Sequence, residues 1–318
     1  MKSLQYSTPN GIRVTRAASI VPFKKGLKPL LRKLDSRRGI YLSSGYEYPE
    51  RYSRWDIASI CPPIEIVARQ RDVAIRPLNQ RGEVISKLLA PILEKHLHWE
   101  SFAAGVSGIQ GRLKLLPSLF PEEERSKQPS PFSILRSLLE ELRHAEDSRL
   151  ALAGAFGYDL LLQFDPIELK LPRDETKDLH LFLCDDIYYM DRKKEQIERF
   201  QYDFEANELS TKGLPRTGAP VPQAKKRPDD EIVSDHTPEE YMAGVEVVRE
   251  GMRQGDYYEV VLRQTFSAHF SGSPSELFER IQHASPSPYE FCLQLGDEQL
   301  IGASPEMFVR VEGDRVET

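Results

Sequence analysis

The 318 residues carry 40% hydrophobic and 9% aromatic side chains, which excludes a disordered chain and gives length for about two domains. Forty-three basic against 49 acidic residues leave a net charge of -6, which argues against nucleic acid or an anionic membrane surface as the main partner. Residues 1–11 are polar and include Pro9, and the longest apolar stretch, 150–158, is far short of the roughly 20 residues of a membrane helix, so no membrane role and a cytoplasmic location are expected.

Apolar runs at 39–42, 64–68, 73–75, 150–163, 179–184 and 187–190 are bounded by turn residues, and several have strand length. Between them Leu88, Leu89, Ile92 and Leu93, then Ile134, Leu135, Leu138, Leu139 and Leu142, keep helical spacing. The alternation predicts an α/β (α+β) architecture. The basic triplet Arg192-Lys193-Lys194 reads as a solvated face. Residues 208–235 contain four prolines, two glycines and dense charge, and read as a surface linker. A helix then opens at the capping box Thr237-Pro238-Glu239-Glu240, with Tyr241, Val245, Val248 and Met252 on one stripe and Gly255 at its end. Residues 257–266 read as a strand, Ser273-Pro274-Ser275-Glu276 opens a short helix, and strand-like runs follow at 289–295 and 299–301. Gly313-Asp314 marks a hairpin turn between 308–312 and 315–318. The expected division is 1–207, a linker at 208–236, and a second region at 237–318.

Generic catalytic signatures are absent: there is no dinucleotide fingerprint, phosphate-binding P-loop or nucleophile elbow. His96-x-His98 lacks matching acidic or Cys partners, so no metal site is expected there. Cys61, Cys184 and Cys292 are too widely spaced for a disulfide framework, and Cys184 reads as a small core residue. Asp185-Asp186 and Asp235-His236 read as turn and linker residues.

Three strings stand in order after the linker: Gly255-Asp-Tyr-Tyr-Glu-Val-Val-Leu-Arg-Gln-Thr-Phe266, Ser285-Pro-Ser-Pro-Tyr-Glu-Phe291 and Ile301-Gly-Ala-Ser-Pro-Glu-Met-Phe-Val-Arg310. Together they resemble the chorismate-utilising enzymes, and within these most closely anthranilate synthase component I. The string Tyr41-Leu-Ser-Ser-Gly-Tyr-Glu-Tyr-Pro-Glu-Arg-Tyr-Ser-Arg-Trp-Asp56 resembles the long bacterial form fused to its glutamine amidotransferase. The resemblance implies two facing, mostly antiparallel β-sheets flanked by helices. It implies conversion of chorismate to anthranilate and pyruvate with ammonia from glutamine, a glutamine amidotransferase partner, and a homo-oligomer in the complete enzyme.

It also implies that the substrate string Pro-Ile-x-Gly-Thr, the catalytic His and the two Glu residues that hold Mg²⁺ lie beyond Thr318, so no catalytic or metal residue is expected within this chain, which would be inactive alone. What the resemblance does place here is a feedback site for L-tryptophan. Ser44 matches the serine ending the family's Leu-Glu-Ser string, here Leu42-Ser43-Ser44, and Pro288, Tyr289 and Glu290 match a Pro-Tyr-Met triplet. Without the resemblance, Ser44-Gly45 is a turn after a strand, and Pro288-Tyr289 is a helix stop followed by a strand aromatic. Another chorismate enzyme, such as aminodeoxychorismate synthase or a phenazine-pathway relative, and a non-catalytic tryptophan-sensing module stand as alternatives.

Overall fold

The computed structural model describes residues 2–45, 54–115, 121–164, 167–169, 173, 175–222 and 231–317. The first half runs β1 (Lys2–Ser7), β2 (Arg13–Val21), α1 (Lys28–Lys33), β3 (Gly39–Ser43), β4 (Trp55–Ile60), β5 (Ile64–Arg69), β6 (Asp72–Pro77), α2 (Gln80–Leu93), β7 (Trp99–Gly105), β8 (Gly108–Leu113) and α3 (Pro131–Leu142). Next come β9 (Ala151–Phe156), β10 (Leu179–Cys184), β11 (Asp186–Asp191), β12 (Gln196–Ala206), β13 (Leu209–Ser210), β14 (Val233–Ser234) and α4 (Pro238–Gln254). The last elements are β15 (Phe266–Ser267), α5 (Pro274–Ala284), β16 (Tyr289–Gln294), β17 (Gln299–Ser304), β18 (Arg310–Glu312) and β19 (Arg315–Glu317).

The chain forms two compact units, Met1–Pro222 with Pro274–Thr318, and Gln223–Ser273. In the first unit a nine-stranded sheet has the order β1-β2-β12-β11-β4-β3-β16-β17, with β13 beside β12, and a six-stranded sheet has the order β7-β8-β6-β5-β10-β9. The described neighbours within both sheets are antiparallel, which agrees with the mixed α/β expectation. One core draws Ile40, Leu293 and Phe200 from the larger sheet, Ile66, Ile75 and Leu181 from the smaller, and Leu89 and Leu138 from α2 and α3. Helix α2 therefore packs on strands of both sheets, among them β6 and β12, rather than flanking only one. Its Asn79 cap accepts from Gly82 N at 3.1 Å, and its Arg81, fully buried, donates to Asp185 at 2.5 Å, to Asp203 at 3.0 Å and to three backbone carbonyls. A second core lies on the other face of the larger sheet, where Leu31 of α1 and Phe278 of α5 meet Tyr41, Ala58 and Cys292.

Period-two alternation decides what faces the site. Along β3, Ile40 and Leu42 turn to the first core and Tyr41 to the second; along β16, Phe291 and Leu293 turn to the first and Cys292 to the second.

The second unit begins at Gln223, within the expected linker, and carries the expected helix α4. Thr237 and Glu240 form the expected reciprocal cap at 2.8 and 3.2 Å, and Gly255 closes α4 with a left-handed φ of 83°. A φ of that sign is open to glycine at no steric cost.

Four expectations need correction. Residues 209–222 are not a solvated linker: β13 pairs with β12, Thr211 and Val221 are buried, and Val221 N donates to Ser36 O at 2.9 Å. Proline-rich composition left these backbone groups free to bond elsewhere in the first unit; the rest of the expected linker, 223–230, lies outside the described residues. Residues 257–265 are not a strand, because the neighbour available, β14, is two residues long and pairs with Phe266 and Ser267. Asp185 and Asp186 are not turn residues: Asp185 is buried on Arg81, and Asp186 opens β11 and accepts from Arg199 at 2.6 and 2.8 Å. The expected boundary near 237 also does not coincide with the division of units, since α5 and β16–β19 belong to the first. The hairpin turn at Gly313-Asp314 stands, between β18 and β19.

Candidate functional site

β3 and β16 are adjacent and antiparallel, with Ser43 opposite Glu290, so the ends of two regions about 245 residues apart in sequence meet side by side. Gly45 N donates to Ser287 O at 2.8 Å and continues the pairing one step past the strands. Between these ends opens a cleft of about 510 Å³ whose walls include Leu42, Ser44, Ile57, Trp55, Pro288 and Tyr289. Its rim carries Arg54, Lys193, Arg310 and Glu312. The expected residues Ser44, Pro288 and Tyr289 thus share one cleft.

Glu290 behaves differently. One residue on from Tyr289, its side chain points to the opposite face of the sheet, toward α5. The carboxylate is 2% exposed and accepts from Gln282 Nε2 at 2.5 Å and from Ser287 N at 3.1 Å. Gly45 makes room for it, since a Cβ at that position would collide with the Glu290 carboxylate. Glu290 therefore braces the wall rather than lining the cleft.

A buried polar network sits behind Ser44. Ser43 Oγ donates to Asp56 at 2.7 Å, and Arg192 reaches both Asp56 oxygens at 2.6 and 3.2 Å, Ser43 Oγ at 2.9 Å and Ser44 O at 2.9 Å. Gln282 joins it to Glu290 through a 3.3 Å contact to Ser43. Burial pushes the Asp56 carboxyl up despite the opposing pull of Arg192. Burial likewise pushes the Tyr41 hydroxyl far up. On the rim, Arg54 stacks over the Trp55 ring at 4.7 Å and donates to Asp191 at 2.8 Å; that hydrogen bond holds the Asp191 carboxyl below its usual range. Arg310 is bound to Glu312 at 2.5 Å.

The arrangement can do one thing plainly. Three cations meet a carboxylate at the rim, Glu312 supplies one counter-charge, and the apolar walls take a ring or hydrocarbon. Sequence reasoning missed Arg54, Trp55, Arg192, Lys193, Arg310 and Glu312. The reading of Arg192-Lys193-Lys194 as a solvated face is corrected, because Arg192 sits in the network and Lys193 on the rim. Their signal was weak, since the partner of Arg192 is Asp56, 136 residues away.

The remaining candidates fall elsewhere. The rings of His96 and His98 meet edge-on at 4.9 Å, and burial lowers both imidazoles. Cys184 is a buried core thiol, as expected, pushed up to about 12 by desolvation. Asp235 and His236 pair at 2.8 Å.

Comparison with known proteins gives the context. Residues 107–318 match the family model described as chorismate binding enzyme. The anthranilate synthase of Azospirillum brasilense is 39% identical over 325 aligned residues, covering 100% of this chain and 43% of that protein. Anthranilate synthase component 1 of Aquifex aeolicus is 28% identical over 267 residues, covering 76% of this chain and 54% of that protein. The crystal structure of anthranilate synthase component I from Streptococcus pneumoniae is similar with a TM-score of 0.48 at 21% identity, over 85% of this chain and 54% of that one. The chain spans about half the length of these relatives or less. With two thirds of its residues inside the family match, this chain belongs to the chorismate binding enzymes.

Proposed function

We propose that the chain forms the regulatory and substrate-side part of an anthranilate synthase, the enzyme that turns chorismate into anthranilate with ammonia from a glutamine amidotransferase. The cleft between β3 and β16 is its site for L-tryptophan. The observation that supports this reading most is the convergence of Ser44, Pro288 and Tyr289 on one cleft with a cationic rim. A free amino acid offers a carboxylate to Arg54, Lys193 or Arg310 and an indole to Leu42, Ile57, Pro288 and Tyr289, and its ammonium takes Glu312 by opening the exposed Arg310–Glu312 pair. Glu312 takes the place that the sequence assigned to Glu290. Each wall comes from a different region of the chain, so occupancy favours the arrangement in which β3, β16 and α5 stay locked.

Magnesium belongs to this chemistry. In the described residues the carboxylates nearest the cleft are already committed, Asp56 to Arg192, Glu290 to Gln282 and Glu312 to Arg310, so they do not converge on an octahedral cation and no step is assigned to one.

An anthranilate fluorescence assay with chorismate, ammonia and Mg²⁺ tests the reading. The 318-residue chain is expected to make no product, while the protein read through any coding sequence after the Thr318 codon makes anthranilate and is inhibited by L-tryptophan. Product from the chain alone, or a longer protein indifferent to tryptophan, would overturn it.

A further inference from the structure

Away from the cleft, the turn between β16 and β17 brings Asp297 and Glu298 beside β10. His180, the second residue of β10, is 3% exposed, and its Nε2 lies 3.1 Å from Glu65 Oε2 on the neighbouring strand β5. Its other nitrogen, Nδ1, is buried and has no hydrogen-bond partner among the described residues. A buried polar atom left without a partner calls for an explanation, and a missing ion is one. A ligating atom of His180, one oxygen of Asp297 and one of Glu298 all lie within 4.8 Å of one another. A cation already stands in this group: the Lys177 ammonium is 2.6 Å from Asp297 and 3.2 Å from Glu298. Lys177 and Asp297 also line one end of an open cleft of about 560 Å³ across the smaller sheet, so the group is reached from solvent.

We propose that His180, Asp297 and Glu298 form a site for a divalent cation of the zinc class, in which the metal displaces the Lys177 ammonium. One imidazole and two carboxylates leave a tetrahedral position for water, and this donor set suits zinc or cobalt better than magnesium or calcium. The surroundings prepare the imidazole. Glu65 accepts from His180 Nε2–H, which fixes the tautomer whose lone pair is on Nδ1, the carboxylate–histidine–metal arrangement. Arg76 at 3.4 Å and Arg38 at 3.9 Å hold Glu65 in place. With Lys177 swung into the open cleft, the incoming dication is matched by the two carboxylates of Asp297 and Glu298, and Glu65 faces Arg38 and Arg76.

Zinc calorimetry on the full chain, with cobalt absorption as a second readout, decides the matter. One equivalent is expected to bind, with cobalt giving a tetrahedral visible band. His180→Gln and Glu298→Gln should each weaken binding by roughly tenfold or more, and Glu298, half exposed, can change without touching the core. Lys177→Gln should tighten binding, which a site elsewhere would not do. Absence of binding in both the wild type and Lys177→Gln overturns the assignment, as does stoichiometric binding that Glu298→Gln and His180→Gln leave unchanged.

Discussion

Arg192 shows how much one side chain carries. Its guanidinium spans Asp56, Ser43 and the Ser44 carbonyl, and so sets the position of the wall that Ser44 presents to the cleft. Arg192→Met leaves the Asp56 carboxylate, 1% exposed, without its counter-ion, and should cost about 3–5 kcal/mol in urea unfolding. The pH dependence has a definite sign. The folded-state Asp56 carboxyl is already raised by burial, so between its unfolded and folded values the native state holds the extra proton and stability falls as pH rises. Removing Arg192 raises it further, so the deficit of the variant should be larger at pH 7 than near pH 4. An equal deficit at both would mean that Asp56 is not the group involved. Asp235 titrates in the other direction. The Thr265 backbone N–H, 2.9 Å away, holds its carboxyl down at about 2. Its contribution to the β14–β15 pairing is therefore complete above about pH 4, the unfolded value, and is lost as pH falls through 2. The Thr265 amide proton shift should follow that low value; a midpoint near 4 would show that the bond is not formed.

The elements divide sharply into those legible in the sequence and those not. Capping boxes act within four residues, so the start of α4 at Thr237 and of α5 near Ser273 could be read directly. The apolar runs that became β3, β5, β10 and β11 were equally plain, because strands buried on both faces leave continuous hydrophobic sequence. β12 was not, since its polar and apolar residues alternate over Gln196–Ala206 and its buried residues Ile197, Phe200, Tyr202 and Phe204 break the period. Residues 257–265 have the composition of a strand without the hydrogen-bonded neighbour that would make them one, which is why β-propensity misled. Helix α5 matters most to the site. It presents Phe278, fully buried against the Tyr41 ring at 5.6 Å, and Gln282, which braces Glu290. Phe278→Ala should destabilise the chain by about 3–5 kcal/mol, measured by thermal or urea unfolding. A loss under 1 kcal/mol would mean that α5 is not anchored by this ring.

At the scale of the whole molecule, what the sequence hid was long-range closure. The proline-rich stretch after β12 looks like a linker in composition, yet Arg216 donates to Tyr202 O at 2.8 Å and Thr211 Oγ1 accepts from Phe204 N at 2.8 Å, which ties it to the first unit. Trypsin should therefore leave Lys212 and Arg216 uncut until that unit unfolds; early cleavage at either would restore the linker reading. The candidate site was legible in part for the same reason. Ser44, Pro288 and Tyr289 sit in motifs that could be matched locally, whereas the rim comes from Arg54 and Lys193, which the pairing of β4 and β11 brings together, and from Arg310 on the separate β18–β19 hairpin. No helix among the described residues is long and apolar enough to cross a membrane. The central claim is that this cleft recognises L-tryptophan, and titration calorimetry of the chain with L-tryptophan, beside Ser44→Ala and a D-tryptophan control, tests it most directly. The account predicts saturable binding of the L-isomer, weakened roughly 10- to 150-fold in Ser44→Ala through the loss of one buried hydrogen bond to a charged group. No heat of binding, or binding that Ser44→Ala leaves unchanged, would contradict it.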